Sequence, residues 1–197
     1  MQHLTKITLS ILILMMLFAV DLNALQETYC LLDDCFAENV DCIDIEWVAP
    51  GTIWGLSKNN DGFGDCYGKL ISYDKVGVKS KVIYLNKSDV KQKFELYNDI
   101  QTIEVAGLCW QEKLRLLSVV GSIWARKDHA PYYNYYGFLT RYNPVYLGLG
   151  IYPFYDTAVD ESWDRPSDCA TNSSGIIYIA DTDDNLIYSA KTGNSLK

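Results

Sequence analysis

Histidine is nearly missing from this chain: there are two in 197 residues, His3 and His129. His3 belongs to the leader-like N-terminus, so a Ser–His–Asp or Cys–His arrangement would have to use His129. That residue sits in the polar run Arg126-Lys127-Asp128-His129-Ala130-Pro131, which reads as an exposed loop. The serine half of such chemistry is missing too. No G-x-S-x-G elbow occurs, and Gly55-Leu56-Ser57-Lys58-Asn59 departs from it at the last position. There is no C-x-x-C pair, and one remaining histidine does little to complete a mixed zinc site. Positive charge is in deficit, with 17 Lys and Arg against 25 Asp and Glu, a net of −8. Long-range repulsion therefore opposes binding to DNA, RNA or anionic membranes. The longest run of apolar or near-apolar residues, Ile7 to Val20, is fourteen residues, short of the roughly 20 that span a bilayer.

What is present begins with an address. Lys6 precedes the apolar run, and Ala19 and Ala24 offer small residues for cleavage, so residues 1–24 read as a signal peptide and the product as secreted and extracellular. About 173 residues remain, enough for the core of one domain. All six cysteines, Cys30, Cys35, Cys42, Cys66, Cys109 and Cys169, survive that cleavage. An even number in a secreted chain reads as disulfides, with the connectivity open. The first three would tie a 25–41 arm to itself or to the rest. Asn86-Lys87-Ser88 and Asn172-Ser173-Ser174 are glycosylation acceptors, which places Asn86 and Asn172 at the surface.

The strongest signal is repetition. Gly51-Thr52-Ile53-Trp54 returns as Gly121-Ser122-Ile123-Trp124, and Tyr67-Gly68-Lys69-Leu70-Ile71-Ser72-Tyr73-Asp74 as Tyr136-Gly137-Phe138-Leu139-Thr140-Arg141-Tyr142-Asn143. A shorter third copy reads Gly175-Ile176-Ile177-Tyr178, then Asn185-Leu186-Ile187, and a cysteine precedes each copy at Cys42, Cys109 and Cys169. Short β-branched and aromatic runs between Asn-, Asp-, Gly- and Pro-bearing turns are strand signals. The spacing predicts an all-β domain over 42–197, with repeats of about 42–108, 109–168 and 169–197. Helical signals are few: Lys87 to Ile100 reads as a short helix, with Ser88 as cap and Val90, Phe94 and Tyr97 on one face, or as an irregular edge, and 25–41 reads as a short helix or a disulfide-tied arm.

Strand–turn–strand units of this kind resemble propeller blades. Gly51 to Trp54, Cys66 and Lys69 to Asp74 are similar to the "G-x-[IL]-W" strand, cysteine-bearing loop and "K-L-L-x-[FY]-D" strand of the secreted insect yellow/major royal jelly family. Ile177 to Asp181 and Leu186 to Tyr188 are similar to that family's "V-Y-I-A-D … G-L-I-V-Y" pair. The resemblance implies a propeller-like fold, partial or small; two to three repeats would require self-association to close a ring. A β-trefoil is the rival architecture, and a lipocalin-like barrel stands third.

Function falls to the loops. Pro131-Tyr132-Tyr133-Asn134-Tyr135-Tyr136 offers stiff aromatic area with hydrogen-bonding tips, and Tyr132, Tyr133, Tyr135 and Tyr136 are the candidate ligand-binding residues. On a strand, alternate tyrosines would face opposite ways. Trp110, Tyr152, Phe154, Tyr155 and Trp163 either extend that surface or fill the core. Asn, Asp and Gly at 57–65 suggest Ca²⁺ through Asp61 and Asp65, and the turn at 181–185 through Asp181 and Asp183, although hairpin tips share this composition. The expected role is non-catalytic recognition of a small ligand or extracellular protein, without a cofactor. The alternatives are a carboxylate-dependent hydrolase with a Ca²⁺ site and a trefoil-like lectin.

Overall fold

The computed structural model describes residues 42–48, 52–58, 66–74, 77–92, 97–127, 129–160 and 163–191. The expected leader, the 25–41 arm, Cys30, Cys35, Asp61 and Asp65 lie outside these residues. The described residues form an all-β fold with three antiparallel sheets. In the first, β1 (Cys42–Val48), β2 (Thr52–Lys58), β3 (Cys66–Tyr73) and β4 (Lys79–Asn86) pair in chain order. The second repeats that meander with β5 (Tyr97–Gln111), β6 (Leu116–Lys127), β7 (Asn134–Tyr142) and β8 (Phe154–Asp160). The third has β9 (Pro166–Thr171), β10 (Ile176–Asp181) and β11 (Leu186–Lys191). None of the three closes on itself among the described residues, so no lipocalin-like barrel forms. Tight turns join the strands where left-handed residues allow it, at Asn185 (φ 55°) and Gly175 (φ 81°).

Lys87–Lys91 is a one-turn helix and Tyr146–Leu149 a 3₁₀ turn. The helical expectation for 87–100 therefore holds for one turn only. Asn86 is the N-cap instead of Ser88, Val90 is buried, and Tyr97 opens β5. Five residues make too short a helix to stand without packing, and Val90 provides that packing.

The second sheet is buried on both faces. Towards the first sheet, Leu117, Val119, Ile123, Phe138 and Tyr142 meet Trp54, Leu56, Leu70, Ile83 and Leu85. On its other face, Cys109, Val120 and Leu139 meet Trp163, Cys169, Ile177 and Ile179. This explains why β6 reads as an unbroken buried run from Leu116 to Ile123 instead of alternating. Each of these large side chains contributes about 1.5–3 kcal/mol by leaving water. Gly137 permits the close approach of the third sheet: a Cβ there would lie 2.4 Å from Trp163 Cβ, and its N–H donates to the Trp163 carbonyl.

First strands are stitched together by side chains. Leu108 N–H donates to Asp44 Oδ2 (2.7 Å) and Trp110 N–H to Glu46, tying β5 to β1. Thr171 Oγ1 donates to the Trp110 carbonyl (2.6 Å), tying β9 to β5. The Cys109–Cys169 disulfide joins the same two strands, with Cα atoms 5.7 Å apart. The three cysteines that precede the repeats thus begin or occupy the first strands β1, β5 and β9.

The repeated motifs fall on corresponding strands: G-x-I-W on β2 and β6, and the Tyr-Gly blocks on β3 and β7. Their registers differ. Trp54 lies opposite Ser72. The equivalent pairing would set Trp124 against Arg141, yet it faces Tyr135, six positions earlier on β7. The sheets also begin ahead of the expected repeat boundaries, at Tyr97 and Pro166 in place of Cys109 and Cys169.

Candidate functional site

β5 and β6 are 15 and 12 residues long, against six for each strand of the third sheet. The face of the second sheet that the third sheet covers therefore continues beyond it. Past Gly137, where Trp163 packs, that face carries Tyr135, Trp124 and Tyr133 in a row. Trp124 stands between the two tyrosines, 4.6 Å from Tyr135 at 46° and 5.9 Å from Tyr133 at 23°, measured between ring centroids. A guanidinium closes each end: Arg126 lies 5.3 Å from the Tyr133 centroid and Arg165 4.5 Å from that of Tyr135. The result is a five-member ladder, Arg126–Tyr133–Trp124–Tyr135–Arg165. Each exposed cation–π contact adds about 0.5–1 kcal/mol.

A polar rim fixes the Tyr133 end. Its hydroxyl donates to the Asp99 carboxylate, and Gln101 Nε2 donates to Asp99 Oδ1 (2.6 Å) and to Tyr133 Oη (3.2 Å). Arg126 lies 3.4 Å from the same carboxylate. The Tyr133 hydroxyl, and less strongly Gln101 and Arg126, hold the Asp99 carboxyl below its usual value, and that bond pushes the Tyr133 phenol up. Such a surface stacks against flat or apolar-faced groups and hydrogen-bonds hydroxyls, amides or carboxylates.

Of the four expected tyrosines, Tyr133 and Tyr135 enter the ladder. Tyr132 is 68% exposed just before β7. Tyr136 is a correction: alternation along β7 turns it into the core against the first sheet, beneath the Lys127 ammonium. Trp124 and the two arginines were missed as site residues. Trp124 stands in the sequence as a repeat marker, Arg126 follows it by two residues on β6, and Arg165 comes from the segment before β9. The wider aromatic set does not join the ladder. Trp163 is buried, Phe154 packs edge-on against Tyr142, and Tyr155 lies under Arg141. Trp110 is partly buried against the core, its indole N–H bound to Glu112.

The remaining candidates have structural work. Asp181 is buried and accepts four backbone N–H groups, from Asp164 and Arg165 on one oxygen and Asp183 and Asp184 on the other. That leaves it poorly placed to ligate Ca²⁺ with Asp183. No group of three or more His, Cys, Asp or Glu side chains that could hold a metal ion occurs among the described residues. His129 is exposed in a left-handed loop position (φ 62°). Cys66 donates its thiol to Asn86 Oδ1 (3.3 Å), while Asn86 Nδ2 donates to Tyr152 Oη (2.8 Å), which engages the nitrogen a glycan would need. Asn172 sits in the β9–β10 turn, its Oδ1 accepting from the Ser174 and Ile176 N–H groups.

One buried cluster carried no signal in the sequence. Asp89, 5% exposed, accepts from Tyr152 Oη (2.6 Å) and Tyr142 Oη (3.1 Å), and Tyr67 Oη pairs with Tyr142 Oη (3.2 Å). Thr157 Oγ1 donates to the Asp89 carbonyl (2.8 Å). Burial raises the Asp89 carboxyl, partly opposed by the tyrosine hydroxyls, and burial likewise raises all three phenols. The cluster latches the first sheet to the second. At the first strands, burial also raises Asp44 and Glu46, with Asp168 adding repulsion.

No protein-family model and no curated protein matches the chain.

Proposed function

We propose that this chain is a secreted, non-catalytic binding protein that recognises its ligand through the aromatic ladder at the projecting end of the second sheet. The ladder carries the reading. Three neighbouring rings, one pair stacked and one tilted, ended by two guanidiniums and bordered by a hydrogen-bonded polar rim, form a rigid surface whose side chains lose little entropy on contact. Each arginine already has a carboxylate within 4.0 Å, Asp99 for Arg126 and Asp183 for Arg165, which favours a ligand with hydroxyl groups beside an apolar face over an anion. A small ligand of that kind, or a loop of an extracellular protein presenting it, fits.

The fold that presents this surface is a propeller-like repeat. Three successive meanders stitched along their first strands support that reading over a trefoil, as does the recurrence of the motifs on second and third strands. Kinship with the yellow/major royal jelly family belongs to the same proposal. Secretion is supported by the leader-like N-terminus and by the Cys109–Cys169 disulfide, which suits an oxidising compartment. No described helix is long and apolar enough to cross a membrane.

The test pairs the wild type with a Tyr132→Ser/Tyr133→Ser/Tyr135→Ser variant on arrayed glycans and extracellular ectodomains. Wild-type binding lost in a variant with unchanged circular dichroism supports the ladder. Binding that survives the triple substitution, or no wild-type binding on either array, defeats it. The glycan arm separates the lectin alternative from a protein binder.

A further inference from the structure

Sheet edges invite pairing unless something blocks them, and this molecule blocks most of its own. On the inner edge of β5, the N–H groups of Leu108 and Trp110 are taken by Asp44 and Glu46, and the Trp110 carbonyl by Thr171. β4 opens with exposed Lys79-Ser80-Lys81. β8 carries Asp156, paired with Arg141. β11 differs. Its first five residues, Leu186-Ile187-Tyr188-Ser189-Ala190, hold no charge, proline or glycine. Leu186 is 51% and Ile187 74% exposed. Among the described residues no strand lies on its outer side, and its sheet has three strands where the others have four.

We propose that β11 pairs antiparallel with β11 of a second copy of this chain across a two-fold axis, joining two three-stranded sheets into one of six strands. Charge pattern argues for this occupant. Asp183 and Asp184 lie three and two residues before the first residue of the strand, and Lys191 ends it. Antiparallel self-pairing brings the acidic end of each copy to the basic end of the other, whereas parallel pairing sets like on like. A register centred on Tyr188 also puts Ile187 opposite Ser189 and Leu186 opposite Ala190, large beside small in each case. At a net charge of −8 the copies repel elsewhere, which confines association to the uncharged edge. The contact is self-complementary, so it closes at two copies.

Sedimentation equilibrium of the full chain, with hydrogen exchange read at low and high concentration, tests this. The expected result is a twofold rise in mass with a midpoint at about 10–100 µM, and amide protection of β11 that increases with concentration. Ile187→Lys should hold the protein at monomer mass with an unchanged melting temperature, since the side chain points to solvent. Ser189→Lys repeats the test should the first variant fold poorly. A wild type that stays monomeric at roughly 200 µM overturns the proposal. A dimer that persists in both variants, or concentration-dependent protection centred on 133–135 and not on β11, does so as well. Pairing of β11 with an unrelated peptide strand in place of its own copy would likewise replace it.

Discussion

Trp54 and Trp124 occupy the same place in two copies of one motif and lead different lives. Both stand on the second strand of a meander, and both point from their own sheet towards the next one in the chain. Trp54 is 3% exposed, sealed beneath the second sheet. Trp124 is half-buried, flanked by two tyrosines past the end of the third sheet. The six-residue difference in strand register separates them, together with the shortness of β9 to β11. Being even, that shift keeps the side chain on the same face. A copied core residue can thus become a surface residue through a change in the length of its neighbours, with no change in its own chemistry.

The comparison breaks most visibly at the covered tryptophan. Trp54→Ala should cost about 3–5 kcal/mol, because the packed surroundings cannot collapse fully around the cavity. Chemical denaturation would read this as a large fall in midpoint at constant slope; a loss below about 1 kcal/mol would mean that Trp54 is not sealed. The Asp89 cluster that joins the first two sheets supplies a pH-dependent effect of intermediate size. Burial raises the Asp89 carboxyl above its ordinary value of 3.8, so the folded chain keeps a proton that the unfolded chain releases. That contribution is complete below the ordinary value and is lost as pH rises through the raised one. Asp89→Asn should therefore gain melting temperature relative to wild type as pH climbs from about 4 to 7. A constant difference across that range would show that the carboxyl titrates normally. Trp124→Ala should be the mildest, about 0.5–1.5 kcal/mol from lost ring contacts, while abolishing whatever binding the ladder supports. A cost matching that of Trp54→Ala would make the ladder part of the core.

Strand content and order were legible because β-branched and aromatic runs, turn residues and the repeated motifs all agree. Ile176-Ile177-Tyr178-Ile179-Ala180 became β10, and the three cysteines mark first strands. Register was not legible. It is set by strand lengths and by bulges such as those within β5, which leave no mark in a motif offset. Half of the site could be read in advance. Alternation along β7 explains why Tyr135 faces out and Tyr136 in, and Arg126 follows Trp124 by two residues on β6, but Arg165 comes from a distant position that only the packing of two sheets brings to the row. Asp89 was hidden for the same reason: its partners Tyr67, Tyr142 and Tyr152 are spread over β3, β7 and the approach to β8.

The ties between β1, β5 and β9 run through individual side chains, not through a shared ladder of main-chain bonds. Such joints are discrete, and each can be loosened by one substitution without unravelling a strand. The central sheet is the common anchor for both neighbours, and the Cys109–Cys169 disulfide keeps the third sheet tethered to it even where the side-chain hydrogen bonds open.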